Sequence, residues 1–271
     1  MAVVASGLLK NKMTTIRLKG GLGNQMFQYA YGRNLMISKG KSVVFDISFY
    51  RGSKSPTDSD RPFLLNKFKI PSAISFTEAP RTLLEKIADK IFNKEHYFQN
   101  EKYFITTANT IRNEFVLKDN LSNEGLNWKN KIENSGNSIS VHIRRGDYVN
   151  NPVTKAYHGT CSPEYYEKAI SYISDKVQDP SFFVFSDNLA WVKKNISFNT
   201  YAVFYVSESG VPDHEELFLM SRCTHNIIAN SSFSWWGAWL NPNPSKIIIA
   251  PKKWSNNDSG LNIIPASWIK M

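Results

Sequence analysis

Four segments of the sequence follow short apolar runs, and all four are polar, glycine-containing or charged. They are GGLGNQ (20–25), RRGDY (144–148), SDN (186–188) and NSSFS (230–234). In open parallel α/β sheets, ligands bind in the crevice beyond the carboxyl ends of the strands. We therefore expect these four segments to line one cleft.

Arg144 is the leading candidate for a catalytic cation. In SISVHIRRGDY (138–148) alternate residues are apolar, which places His142 and Arg144 together on the opposite face of a strand. The guanidinium fork matches phosphate oxygens and would stabilise the charge that develops on a leaving diphosphate. The alternative is that Arg144, Arg145 and Asp147 form a structural ion-pair cluster, an interpretation that suits Arg145 and Asp147 best.

The segment SSFSWWGAW (231–239) predicts a helix that begins directly after a strand. Its first turn offers unpaired backbone N–H groups beside the hydroxyls of Ser231 and Ser232, which together suit an anion. Helix capping by either serine is compatible with this role. For Trp235 and Trp239, packing between helix and sheet is favoured over stacking on a sugar or base.

Glycines open the other predicted helix start, in GGLGNQMFQYA (20–30). The spacing G-G-x-G does not match the dinucleotide-binding fingerprint. The glycines instead indicate close approach of the backbone to a ligand, with Asn24 and Gln25 exposed in the first helical turn. A tight structural turn is the alternative interpretation.

The sequence predicts no metal site. Asp58-Ser59-Asp60 has a DxD pattern but lies in a loop rich in Ser and Pro, and the five histidines show neither HxH nor HExxH spacing. The two cysteines, Cys161 and Cys223, form neither a disulfide framework nor a CxxC motif, so a reducing, cytoplasmic setting is expected.

Composition indicates a globular protein with an anionic partner. The 271 residues are 42% hydrophobic, enough for one large domain or two smaller ones, and no apolar run has the length of a membrane span. A net charge of +10 favours nucleic acid, a phosphorylated small molecule or an anionic membrane face. Nucleic acid is disfavoured because the basic residues form no block. Residues 1–12 lack the basic region of a signal peptide and are left out of the fold prediction, with Met13 as an alternative start.

The elements that must position these residues alternate between strand and helix, which predicts a doubly wound parallel α/β fold. The predicted strands span 14–18, 42–47, 138–144, 181–187, 200–206, 225–230 and 246–250. The predicted helices begin near 22 and 188 and span 81–92, 161–177, 213–222 and 231–241, with Ser162 and Pro163 opening the helix of 161–177. The polar stretch 130–138 is the predicted boundary between two halves.

The motifs HIRRGDY (142–148), FSDN (185–188), ELFLMS (216–221) and NSSFSWWGAWLN (230–241), after GGLGNQMFQYA, resemble the family-11 glycosyltransferases, the α-1,2-fucosyltransferases, in order and spacing. The resemblance implies a GT-B-like α/β fold, in which two Rossmann-like domains with parallel sheets face each other across a cleft. Residues 13–137 would form the acceptor-side domain and residues 138–271 the domain that binds the GDP-sugar. The implied reaction is the inverting transfer of L-fucose from GDP-β-L-fucose to the 2-hydroxyl of a terminal β-galactoside, in surface glycan or O-antigen synthesis. No metal or other cofactor is implied.

The resemblance also assigns expected roles to individual residues. Arg144 would grip the β-phosphate, and Asn24 would lie between donor and acceptor. Arg145 and Asp147 would support the site, and Asp147 and Glu216 are the carboxylates in these motifs from which a general base could come. The expected donor-binding residues are Gly21, Gly23, His142, Arg144, Asp187, Glu216, Ser231 and Ser232, with His142, Asp187 and Glu216 assigned to guanine or ribose.

Two other functions remain open at the level of sequence. One is a fucosyltransferase of 1,3 or 1,6 linkage, and the other is a glycan-binding module without catalysis. The positive charge also suggests peripheral association with the inner membrane face. The sequence leaves the acceptor glycan, the general base and the oligomeric state undetermined.

Overall fold

A computed structural model describes residues 13–51, 61–79, 97–146, 156, 159–256 and 263–271. Its described strands form two parallel sheets. The smaller sheet has the order β1-β2-β3, with β1 at Thr14–Arg17, β2 at Val43–Asp46 and β3 at Ser75–Thr77. The larger has the order β6-β5-β4-β7-β8-β9, with β4 at Ser138–Ile143, β5 at Ser181–Ser186, β6 at Ala202–Tyr205, β7 at His225–Ile227, β8 at Ile248–Ala250 and β9 at Ile269–Lys270.

The α-helices of the described residues connect and cover these strands. They are α1 (Leu22–Lys39), α2 (Ala108–Glu114), α3 (Asn123–Glu133), α4 (Pro163–Ser174), α5 (Leu189–Asn195), α6 (Asp213–Arg222) and α7 (Ser232–Leu240). Ser162 and Pro163 begin α4 as predicted, because proline fits the first helical turn, where its missing N–H has no partner to lose. Two parallel α/β units facing a common cleft constitute the predicted GT-B-like architecture.

The larger sheet is buried on both faces, as the burial of β4 and β5 shows. On β5, Phe182 and Val184 pack into one hydrophobic cluster, while Phe183 and Phe185 pack into another. On β4, every residue is buried, and the face of His142 carries small polar side chains. Ser140 on that face accepts a 2.7 Å hydrogen bond from Asn226, which satisfies the buried polar group.

Helix α1 corrects the prediction that the residues of its first turn are exposed. Its N-terminal half is buried on nearly all sides, because α7 packs against it from the other unit. Trp236 of α7 donates its indole N–H to the carbonyl of Gly23 at 3.0 Å, and its ring lies 4.9 Å from that of Phe27. Gln25, predicted to be exposed, is fully buried.

The region before the larger sheet contains elements that the sequence did not predict. Residues 130–133 belong to α3, so that only a short turn precedes β4. Glu215 of α6 accepts hydrogen bonds from the backbone N–H and the hydroxyl of Ser122, at 3.1 and 2.7 Å, which ties the start of α3 to the larger unit. Strands β3 and β9 and helices α2 and α3 were absent from the prediction, and the predicted helix 81–92 lies outside the described residues.

Sheet order determines where the motifs meet. Strand β4 pairs with β5 on one side and with β7 on the other, so the connections that leave β4 and β7 run in opposite directions. Such a reversal opens a crevice at the carboxyl ends of the two strands. Arg144 follows β4, and Ser231 follows β7 after a three-residue link.

Candidate active site

A cleft of about 380 Å³ lies at this crevice and is lined by both units. The smaller unit and the segments attached to it contribute Lys19, Gly20, Gly21, Leu22, Gly23, Asn24, Phe49, Arg61, Tyr97 and Gln99. The larger unit contributes His142, Arg144, Ser186, Asp187, Ser207, Asp213, Glu216, Asn230, Ser231, Ser232, Phe233 and Trp254. The four segments predicted to share one cleft therefore all reach it.

Arg144 is held in the cleft by Asp187. The Arg144 Nη1 atom lies 3.0 Å from Asp187 Oδ2, and Asp187 Oδ1 accepts the backbone N–H of Arg145 at 2.8 Å. Gly146 makes room for this carboxylate, because a Cβ there would stand 2.6 Å from Asp187 Oδ2. The guanidinium is thus oriented before any ligand binds, which is the condition for strong transition-state stabilisation.

The alternative of an ion-pair cluster of Arg144, Arg145 and Asp147 is not tested by these contacts. Arg145 stacks over the ring of Trp191, 3.7 Å from its centroid. Asp147, the third member of the predicted cluster, lies outside the described residues. That Asp187 contacts guanine or ribose stays a prediction, and the structure shows that this carboxylate pairs with Arg144.

His142 points into the cleft from β4 as an uncharged imidazole. Burial lowers the pKa of His142 to about 3, and the positive charge of Arg144 adds to this effect while Asp187 opposes it. Among the described residues its Nδ1 atom has no hydrogen-bond partner, although it is buried. A buried imidazole nitrogen of this kind is suited to a hydrogen bond with a bound ligand.

Two helix N-termini meet in the cleft. Gly21 precedes α1 without a side-chain cap, and Ser231 caps α7 by accepting the N–H of Phe233 at 3.3 Å. The two helix starts touch at Gly23, whose Cα hydrogen faces the backbone of Ser232. Backbone N–H groups and helix dipoles from both units therefore favour an anion at the same place.

Glu216 of α6 is the carboxyl group of the cleft with a perturbed proton affinity. Burial raises the pKa of Glu216 to about 7, a hydrogen bond from Ser207 lowers it, and the charges of Asp213 and Asp187 raise it further. A carboxyl group with this pKa exchanges its proton near neutral pH, as an acid or base in catalysis does.

We expect the free energy of unfolding to fall less with rising pH in Glu216→Gln than in the wild type. Between the ordinary pKa of 4.5 and the folded value of about 7, the folded carboxyl keeps a proton that the unfolded chain has released. The free energy of unfolding therefore falls with rising pH across this window and stays low above it. Urea unfolding at about pH 5 and about pH 8 would show a smaller fall in the variant than in the wild type. Equal falls would contradict the prediction.

Asn24 and Gln25, adjacent in sequence, have different surroundings. Asn24 lines the cleft and accepts a 2.7 Å hydrogen bond from Gln99 Nε2. The Gln25 side chain turns away from the cleft and makes hydrogen bonds with the main chain. Its Nε2 atom donates to the Pro62 carbonyl at 2.9 Å, and its Oε1 atom accepts the Leu64 N–H at 2.9 Å. Gln25 thereby anchors residues 62–64 beside α1, a structural role that the sequence prediction missed.

The structure places the predicted site residues together wherever it describes them. Gly21, Gly23, Asn24, His142, Arg144, Asp187, Glu216, Ser231 and Ser232 all line the cleft. The Asp58-Ser59-Asp60 pattern and Asp147 lie outside the described residues. Trp235 and Trp239 are buried in the core, as predicted.

Several cleft residues had no signal in the sequence. Lys19, Phe49, Arg61, Tyr97 and Gln99 belong to no motif and come from four separate stretches of the chain. Lys19 lies over the ring of Tyr97, 5.1 Å from its centroid. Only the packing of these stretches around the start of α1 brings them into the cleft.

A second cavity, of about 410 Å³, lies at the opposite ends of α6 and α7. Two arginines that line it interact with groups at the surrounding helix ends. Arg112 donates to the carbonyl of Trp239 and stacks over its ring, while Arg222 Nη2 lies 3.1 Å from Glu133 Oε1. Cations at helix C-termini compensate the negative end of the helix dipole. The cleft at the helix N-termini is therefore the better candidate for an anionic substrate.

Among the described residues, no three His, Cys, Asp or Glu side chains are grouped as a metal site would require. No helix in the same ranges is both long enough and apolar enough to traverse a lipid bilayer.

This chain is similar to known proteins over nearly its whole length. Residues 2–270 match the family described as Glycosyl transferase family 11. Two Escherichia coli proteins are each 33% identical to this chain: the O-antigen biosynthesis glycosyltransferase WbnK, over 94% of this chain and 99% of its own length, and an alpha-1,2-colitosyltransferase, over 94% and 97%. The galactoside 2-alpha-L-fucosyltransferase Sec1 of Mus musculus is 26% identical over 84% of this chain and 64% of its own. Among solved structures, the fucosyltransferase NodZ from Bradyrhizobium matches with a TM-score of 0.44 and 13% identity, over 84% of this chain and 93% of its own.

Proposed function

Because this chain belongs to glycosyl transferase family 11, we propose that it transfers L-fucose from GDP-β-L-fucose to the 2-hydroxyl of a terminal β-galactoside, with inversion to an α-1,2 linkage. The observation that carries this proposal is the meeting of Arg144 with the N-termini of α1 and α7 in one cleft. Such a site binds a diphosphate and stabilises it as a leaving group.

In the donor complex, the diphosphate lies between Arg144 and the two helix N-termini. The guanidinium grips the β-phosphate, and Ser231 and Ser232 with the amides of α7 hold the same group. Gly21 and Gly23 bring the backbone of α1 close to it from the other side. His142, Asp187 and Glu216 are assigned to guanine or ribose, for which the neutral imidazole of His142 supplies a hydrogen-bonding nitrogen.

The reaction is a single displacement at the anomeric carbon of the donor. The 2-hydroxyl oxygen of the acceptor bonds to that carbon as the bond to the β-phosphate oxygen breaks, and the departing electron pair stays on GDP. The hydroxyl proton passes to a general base, for which the candidates are Asp147 and, in place of a contact with guanine or ribose, Glu216. Arg144 and the helix amides stabilise the charge on GDP, so the mechanism uses no metal ion or other cofactor.

The acceptor approaches from the wall that residues 13–137 provide, the proposed acceptor-side domain. Phe49 and Tyr97 offer aromatic faces there, which suit the apolar face of a galactose ring. Arg61 and Lys19 supply hydrogen-bond donors for hydroxyl groups. Residues 138–271 form the proposed GDP-sugar domain.

Transfer of colitose is the second candidate function. The relative described as an alpha-1,2-colitosyltransferase is 33% identical over 94% of this chain, the same values as for WbnK. Colitose is L-fucose without its 3-hydroxyl, so the two donors share the diphosphate, the guanosine and the leaving-group chemistry. A site that hydrogen-bonds the 3-hydroxyl would favour fucose, because the missing group leaves its partners unpaired.

The first experiment is mass spectrometry of lactose and N-acetyllactosamine incubated with the protein, excess EDTA and either GDP-fucose or GDP-colitose. We expect a gain of one deoxyhexose from GDP-fucose, with NMR showing attachment at the galactose 2-hydroxyl. A gain only with GDP-colitose would establish the second candidate, and attachment elsewhere would refute the α-1,2 linkage. Sugar binding without GDP release from either donor would indicate a glycan-binding module.

We further propose that the enzyme acts in the cytoplasm, in surface glycan or O-antigen synthesis, and associates peripherally with the inner membrane face. Its net charge of +10 and its similarity to an O-antigen glycosyltransferase support this proposal. Flotation with vesicles should increase with their content of anionic lipid. Equal flotation with neutral and anionic vesicles would contradict the membrane association.

A further inference from the structure

We propose that Gln99 is a positioning residue, which turns the side-chain N–H₂ group of Asn24 toward the reacting diphosphate. This inference rests on the proposed function, in which Asn24 lies between donor and acceptor. Gln99 Nε2 donates to Asn24 Oδ1 at 2.7 Å, and both residues line the cleft. No motif contains Gln99, which is 75 residues from Asn24 in the chain.

The hydrogen bond determines which end of the amide serves the substrate. An asparagine side chain has one oxygen that accepts and one nitrogen that donates. Because Gln99 occupies the oxygen, the nitrogen is the group that remains to face a ligand. The Nδ2 atom lies over Gly20, where a Cβ would stand only 2.8 Å away. A residue at position 20 with any side chain would displace the amide, and the φ of +80° at Gly20 excludes most such residues as well.

The backbone around Gln99 is held in place by aromatic contacts with α1. Phe98 adopts a φ of 53°, unusual for a residue with a bulky side chain. Its ring stacks on Tyr31 of α1 with centroids 3.8 Å apart and meets Tyr103 edge-on at 5.7 Å. Strained conformations of this kind persist where surrounding packing holds them, often at functional sites. With Phe98 held in this conformation, its two neighbours in the chain both line the cleft. These neighbours are Tyr97 and Gln99.

The oriented N–H₂ group stabilises the departing diphosphate in the transition state more than it stabilises the substrate before the reaction. As the bond between the anomeric carbon and the β-phosphate oxygen breaks, negative charge grows on the diphosphate, and the Asn24 donor strengthens its hydrogen bond with it. An interaction that grows in the transition state affects kcat more than KM. A wrongly turned amide would present its oxygen to the same negative charge and oppose the reaction.

Kinetics of four variants test the proposal: Gln99→Leu, Gln99→Glu, Asn24→Ala and the double variant Gln99→Leu with Asn24→Ala. We expect Gln99→Leu to lower kcat about tenfold, with KM for both substrates changed less than about twofold. Gln99→Glu should lower kcat at least as much, because a carboxylate accepts only and turns the Asn24 nitrogen toward itself. In the Asn24→Ala background, Gln99→Leu should have almost no further effect. Gln178→Leu, a change of the same type at an exposed position, is the matched control.

Full activity of Gln99→Glu, or independent effects of the two sites in the double variant, would overturn the proposal. A second measurement does not depend on turnover. With ¹⁵N-labelled asparagine, the Asn24 side-chain signals, assigned by their loss in Asn24→Ala, should shift in Gln99→Leu and stay in place in Gln178→Leu. Unshifted signals in Gln99→Leu would refute the hydrogen bond itself. If the wild type transfers no sugar at all, the proposed function fails, while these signals still decide whether Gln99 holds the Asn24 amide.

Discussion

Arg144→Ala is expected to lower kcat for fucosyl transfer by at least about 10²-fold, the effect of removing one preorganised donor to a developing anion. The structure explains why the loss should be large. Asp187 Oδ2 lies 3.0 Å from Arg144 Nη1 and holds the guanidinium in place. Orienting the guanidinium during the reaction therefore costs the wild type little free energy. No other guanidinium lines the larger unit's side of the cleft among the described residues.

Steady-state kinetics with GDP-fucose and lactose would measure the loss of kcat. Two further variants show whether the loss is specific to the Arg144 guanidinium. Arg144→Lys keeps the charge but lacks the planar fork, so we expect activity between those of Arg144→Ala and the wild type. Arg222→Ala removes an arginine whose ion pair with Glu133 lies away from the cleft, and it should leave kcat nearly unchanged. Near-normal turnover of Arg144→Ala would refute the assignment of the diphosphate site.

Gly23→Ala is expected to lower both stability and activity, because it forces apart the two helix starts that meet in the cleft. A Cβ at this position would lie 2.4 Å from the Ser232 carbonyl carbon and 2.6 Å from the Phe233 nitrogen. These are backbone atoms of a buried helix, which cannot rotate away as a side chain can. Overpacking of this kind costs about 1–3 kcal/mol in free energy of unfolding. It would also strain the 3.0 Å hydrogen bond from Trp236 to the Gly23 carbonyl.

Urea unfolding and turnover, measured together, test this prediction. Gly21→Ala is the matched control for stability, since a Cβ there would meet only the Arg61 side chain, at 4.0 Å. We expect the unfolding midpoint to fall in Gly23→Ala and to change little in Gly21→Ala. An unchanged midpoint in Gly23→Ala would show that α1 and α7 do not pack as closely as the structure places them.

Much of the larger unit was predictable because its signals are local. The helix of 213–222 was predicted with its observed bounds, and β4 and β5 within a residue, since helical periodicity and short apolar runs act over a few positions. The smaller unit was harder. Its strand β3 has three residues, and α2 and α3 pack against distant parts of the chain, so neither periodicity nor composition identified them.

The same contrast holds for the site. A strand-end arginine, a serine-capped helix and a glycine-rich helix start are each visible in the sequence, because each depends on neighbours a few residues away. Asp187 was visible as a residue that follows a strand, but its pairing with Arg144 was not, since it requires β4 and β5 to lie side by side.

The sequence by itself indicated which residues suit an anion and on which kind of element each one lies, because secondary structure follows from local periodicity and backbone preference. Only the tertiary structure decided how these residues meet. The reversal of connections between β4 and β7, the contact of Gly23 with Ser232 and the hydrogen bond from Gln99 to Asn24 all join parts of the chain that are distant in sequence. Such contacts depend on the shape of the whole buried core, which no short stretch of sequence specifies.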